Sequence, residues 1–168
     1  MTISRVELMY EQLVTEFKAI KTANGYRTDP AVYRFIRQMD KVGTVPEIGV
    51  EIRDSDLIVV DDNANCFDEL VPVVISGAVR ADMDSDGSGD AVKAAGEALE
   101  HDMKKVAAAL ILKYCIQSTG AGVWTIVYDG SRPHMVLQRF LWLDVARPMA
   151  EVLIEFTANV RNQEPTFE

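Results

Sequence analysis

The chain has 168 residues, 48% hydrophobic and 26% charged, with a formal net charge of −9. Such a length suits one globular domain, which hides roughly 70% of its unfolded surface. The acidic balance argues against nucleic-acid binding as the main task, because phosphate recognition needs clustered Lys and Arg, and no apolar run approaches the ~18 residues of a membrane span.

The opening segment predicts a helix. Ser4 and Glu7 have capping-box spacing, in which each side chain bonds the other's backbone N–H. Val6, Met9, Leu13, Phe17 and Ile20 then recur at steps of three or four and share one face. Asn24-Gly25 stops the helix, because both residues tolerate the left-handed conformation. Arg5, Glu7 and Glu11 occupy the turns where a secretory signal would be apolar, so none is expected. Tyr26 to Pro30 is a non-helical connector.

Strands dominate next. Val32–Arg37 is a short candidate. Ile48, Val50 and Ile52 alternate with Gly49, Glu51 and Arg53, the pattern of a half-buried strand. Leu57–Val60 suggests an edge strand, and Asp61 to Asn65 a polar turn. Phe67–Arg80 predicts a long strand; Pro72 has no N–H for a ladder, which places it at an edge or near the strand start. Gly43, Gly49 and Gly77 are isolated and suggest turns or bulges.

An acidic loop, Asp82-Met-Asp-Ser-Asp-Gly-Ser-Gly-Asp90, leads into a second helical pattern. Val92, Ala95, Leu99, Met103, Val106 and Leu110 mark its buried face to about Tyr114, and Glu100 with Lys104 forms a favourable i,i+4 pair. Trp124, Ile126 and Tyr128 begin a strand that Asp129-Gly130 turns. Met135–Val145 and Met149–Val160 are two further β runs. Residues 1–161 are expected to form a single domain, with Asn162–Glu168 a loose tail. Strand runs separated by single helices predict an α+β fold: a mixed, mainly antiparallel sheet with an N-terminal helix and a long central helix packed on it.

Chemistry-bearing patterns are few. Asp82, Asp84, Asp86 and Gly87 match the opening of an EF-hand loop, but the twelfth position, where a bidentate Glu is needed, is Lys93. The favoured reading is a solvated acidic turn whose Asp90 caps the helix that follows. Neither His101 nor His134 has a nucleophile motif beside it, and no P-loop or G-x-G-x-x-G appears. Cys66 and Cys115 lack a CxxC partner and are expected to be reduced and buried. Phe140 and Trp142 alternate with Leu141 and Leu143, so that strand is apolar on both faces. Coverage of both faces by the subunit's own helices is the favoured expectation, and a subunit interface is the alternative.

Two segments carry a resemblance. Ala23-Asn-Gly-Tyr-Arg-Thr-Asp29 resembles an "N-G-Y-x-T-D" connector that follows an opening helix. Val73 to Asp84, then Gly89-Asp-Ala91, then Asp102-Met-Lys-Lys-Val106 resemble a strand, an "A-D-x-D" loop and a "D-I-K" helix. These are features of the tail terminator (tail completion) proteins of long-tailed bacteriophages. Ala150–Val160 is similar to their final strand, and Val45-Pro-Glu-Ile48 takes the place of an "L-P-A-L" strand start. Asp54–Asp68 and Tyr114–Leu141 depart from the pattern.

The resemblance implies a structural virion protein of the tail or neck, with no catalysis and no cofactor. Such subunits form a ring, usually a hexamer, on the last ring of the tail-tube protein, stop tube growth and meet the neck or connector protein. They assemble in the host cytoplasm, without a membrane, and DNA passes through the channel without specific binding. Six copies would multiply the −9 charge sixfold, a field that repels DNA wherever carboxylates line the channel. Asp82, Asp84, Asp86 and Asp90, or Asp61 and Asp62, are expected at the lumen or an end surface; Tyr26, Arg27, Phe140 and Trp142 are the subunit-interface candidates. A neck or head–tail connector subunit is the alternative within virion proteins. A calcium- or ligand-binding module and a small enzyme using His101 or His134 are alternatives of other classes.

Overall fold

The computed structural model describes residues 4–36, 41–61, 66–82, 84–115, 124–130, 132–143 and 147–163. The fold is α+β. Its centre is a pair of fifteen-residue strands, β4 (Cys66–Arg80) and β9 (Met149–Gln163), antiparallel in unbroken register from Cys66 opposite Gln163 to Arg80 opposite Met149. Asn162 and Gln163, expected in a loose tail, therefore belong to the sheet.

On one side of β4 lie β3 (Asp56–Asp61), against its first third, and β2 (Glu47–Ile52), against its later part; β1 (Ala31–Tyr33) adds to β2 in parallel. On the far side of β9 lie β5 (Trp124–Ile126) and β8 (Val136–Trp142), both antiparallel to it. A two-residue hairpin, β6 (Tyr128–Asp129) with β7 (Arg132–Pro133), stands between them and turns at Gly130, φ +65°. Pro72 sits mid-strand in β4 rather than near an edge. Its carbonyl accepts from Arg53 N–H at 2.9 Å, so its ring nitrogen faces the same side, in the gap between the partners of β3 and β2, where no ladder donor is needed.

Helix α1 (Arg5–Lys18) starts as expected, with Ser4 Oγ accepting from Glu7 N–H at 3.1 Å, but the Glu7 carboxylate pairs with Arg34 instead of completing the box. It ends at Lys18, earlier than Asn24-Gly25 suggests. Asn24 Nδ2 donates to Ala19 O at 2.8 Å, and Asp29 accepts from both Thr22 N–H and Thr22 Oγ1. These local bonds replace the helical ladder with a 3-10 turn, Thr22–Asn24, which Gly25 closes at φ +79°. Helix α2 (Asp90–Lys113) has the expected length.

Both helices pack on one face of the sheet. Met9, Leu13 and Phe17 of α1, and Val92, Leu99, Met103, Val106 and Leu110 of α2, meet Val71, Val73, Ile75 and Val79 of β4 and the even-numbered residues of β9. Trp124 is fully buried, stacks on Tyr114 with centroids 4.0 Å apart, and donates Nε1–H to Gln12 at 2.8 Å. It ties β5 to both helices. Gly49 and Gly77 lie inside β2 and β4, not in turns or bulges, because neighbours leave no room for a side chain there.

Candidate assembly surfaces

The connector that follows α1 is fastened to α2 by one carboxylate. Asp102 is fully buried and accepts from Arg27 N–H at 2.9 Å, Thr28 N–H at 2.8 Å and Thr28 Oγ1 at 2.7 Å, with His101 Nδ1 at 3.2 Å. Burial pushes this carboxyl up, but the hydrogen bonds from Thr28, Arg27 and His101 outweigh it and hold it below the usual carboxylate value. Nothing in the motif readings singled out Asp102 for this role. The available signal was its place on the apolar stripe, three residues after Leu99 and four before Val106. Of the interface candidates here, Tyr26 is half-buried with Lys105 Nζ 4.5 Å above its ring, while the Arg27 side chain is exposed.

The acidic loop is held by its own backbone. Asp84 accepts from Ala91 N–H at 3.0 Å and Asp86 from Ser88 N–H at 2.9 Å. That bond, with the Ser88 hydroxyl, holds the exposed Asp86 carboxyl below its usual value. The N-cap position is Gly89, φ +69°, and Asp90 is the first helical residue. The expected cap at Asp90 is thus supplied by Asp84, seven residues before Ala91. Lys93 Nζ lies 2.8 Å from Ser88 O and 3.3 Å from Asp90, so a cation already occupies the loop's twelfth position. Asp82 and Asp90 are exposed. Asp61 ends β3, its side chain not among those described, and Asp62 lies outside the described residues.

Exposed apolar side chains collect on two strands at opposite edges of the sheet. On β8, Phe140 (38% exposed) and Trp142 (42%) stack on the face away from the helices, centroids 6.2 Å apart; Leu141 (44%) is exposed on the other face. On β3, Leu57 and Ile58 point to opposite faces and are 67% and 46% exposed. Coverage of the β8 segment by the subunit's own helices is therefore not what the structure shows. Helix α2 reaches only the near face, where Arg139 Nε meets Glu100 at 2.7 Å across a cleft of about 180 Å³.

A second cleft, about 270 Å³, lies under the β6–β7 hairpin and is lined by Arg53, Val74, Tyr128, His134 and Glu155 among others. Cys115 is half-buried with a free thiol; the Cys66 side chain is not among those described. Among the described residues no group of three His, Cys, Asp or Glu side chains is placed to hold a metal ion, and no helix is long and apolar enough to cross a membrane. No protein-family model and no curated protein matches this chain.

Proposed function

We propose that this chain is a structural subunit of a long bacteriophage tail, a tail terminator that forms a ring on the last tube ring and stops tube growth. The observation that carries the reading is the joint at Asp102. Two of the segments that resemble terminator motifs, the connector at Ala23–Asp29 and the helix at Asp102–Val106, are 75 residues apart in sequence for the Arg27–Asp102 contact and yet share one hydrogen-bonded core. Chance strings have no reason to meet this way. The uncovered edges β3 and β8 support self-association, since apolar strands exposed on both faces mark interaction surfaces.

The test is tube assembly. Added to tail-tube protein from the same phage, the chain is expected to shorten the tubes and to be seen by electron microscopy as an extra ring at one end. Tubes of unchanged length with bare ends would overturn the reading; binding to a portal or adaptor ring alone would favour a neck connector.

The acidic loop gives a second prediction. With carboxylates facing the channel, Asp82→Asn with Asp90→Asn should alter DNA retention in assembled particles, while the melting temperature moves by less than about 2 °C, as for exposed surface changes. Asp84 is unsuitable for this test because it caps α2. Unchanged DNA retention would remove these residues from the channel.

A further inference from the structure

We propose that the ring closes by edge-to-edge strand pairing, β8 of one copy adding to β3 of the next. This inference rests on the ring-forming reading above. Among the described residues β8 pairs only with β9, and β3 only with β4, so each has an unused row of backbone N–H and C=O groups. An edge strand that stays in water should alternate polar and apolar residues. These two do not: Leu57-Ile58-Val59-Val60 and Phe140-Leu141-Trp142 are continuous apolar runs. The other two edges differ, for β1 and β5 are three residues each, half-buried or buried.

The occupant is a second copy because the two edges complement each other. Residues 54–61 carry Asp54, Asp56 and Asp61 and no cation. Residues 132–143 carry no carboxylate and two arginines, Arg132 just before β8 and Arg139 within it, the latter also paired with Glu100. In a chain of net charge −9 this separation makes unlike edges attract and β3 edges repel one another. Strand directions agree as well. Both β3 and β9 run antiparallel to β4, and β8 runs antiparallel to β9, so in a continuous sheet β8 meets β3 antiparallel.

The pairing is also staggered. β3 borders the Cys66–Leu70 end of the central ladder and β8 the Met149–Glu155 end, so each copy shifts along the strands, as the shear of a closed sheet requires. Because two different edges meet, the contact is head-to-tail, and it closes into a ring when the rotation per copy fits. Both strands lie almost wholly in the two segments that depart from the terminator pattern, so the pairing is a property of this chain's own residues.

The test uses the full chain and two double variants, Phe140→Glu with Leu141→Glu on β8, and Leu57→Lys with Ile58→Lys on β3. Circular dichroism first checks that each is folded. In sedimentation, the wild type is expected as a ring of about six copies, and each variant alone as the 18.7 kDa monomer, a roughly sixfold loss of mass. Mixed one to one, the variants should associate again, because one brings an intact β3 and the other an intact β8. A folded variant that still forms rings, or a mixture that stays monomeric, would overturn the pairing while leaving the ring reading in place. A wild type that is monomeric, alone and with tube ends, would remove the ring reading and the pairing with it.

Discussion

Replacing Asp102 with alanine is expected to destabilise the chain by about 3–5 kcal/mol, the range for removing one partner from a buried charged network. Three donors from Arg27 and Thr28 would be left in a site that water does not reach, since Asp102 is fully buried. At about 2–4 °C per kcal/mol for a chain of this size, the melting temperature should fall by roughly 6–20 °C. Asp102→Asn keeps an acceptor for the same donors, so it should cost only about 1–2 kcal/mol. Thermal unfolding of the two variants checks this; equal losses would show that the site needs only the volume of the side chain.

The same residue gives the acid dependence. Asp102 and Asp68 are both held below the usual carboxylate value: Asp102 by the bonds that outweigh its burial, Asp68 by the hydrogen bond from Arg161 against a smaller effect of burial, helped by Asn159. A depressed folded pKa means that the unfolded chain binds the proton more readily. Stability is therefore full above the unfolded value, about pH 4, and is lost as pH falls through the lower folded values. Denaturant midpoints should hold steady from neutrality to about pH 5 and drop below pH 4, with a smaller drop in Asp102→Asn.

Gly49→Ala should be nearly as damaging. A Cβ there would lie 2.5 Å from Phe35 O and 2.8 Å from Ile36 Cα, both backbone atoms. Backbone cannot swing aside, so β2 or the segment after β1 must move, at about 3 kcal/mol, the upper end for overpacking. Gly77→Ala is the control. Its Cβ would meet Met103 Sδ at 2.2 Å, but a thioether can change rotamer, and about 1 kcal/mol is expected. Chemical denaturation ranks the pair, and a larger loss at Gly77 would contradict the assignment.

Much of the fold was legible because its longest elements have strong periods. Met9, Leu13 and Phe17 marked α1, the stripe from Val92 to Leu110 marked α2, and β4 and β9 showed as long apolar runs. Boundaries were less legible where side chains compete with the backbone. Asp29 and Asn24 end α1 early through bonds that no periodicity encodes. Pro72 misled because its position in β4 is an edge only on one side, a fact of strand pairing. The joint at Asp102 was hidden for a related reason: its donors come from a connector 74 and 75 residues away. Phe140 and Trp142 stood out in the sequence as part of a strand apolar on both faces, but the favoured expectation of coverage by helices fails, and only the sheet order shows that the helices stop short of their face.

Mass in solution tests the central claim most directly. Sedimentation of the full chain, alone and mixed with preassembled tail-tube rings, is expected to show a species of about six copies with few or no free subunits at tube ends. A chain that stays at 18.7 kDa in both conditions would contradict an account built on self-association.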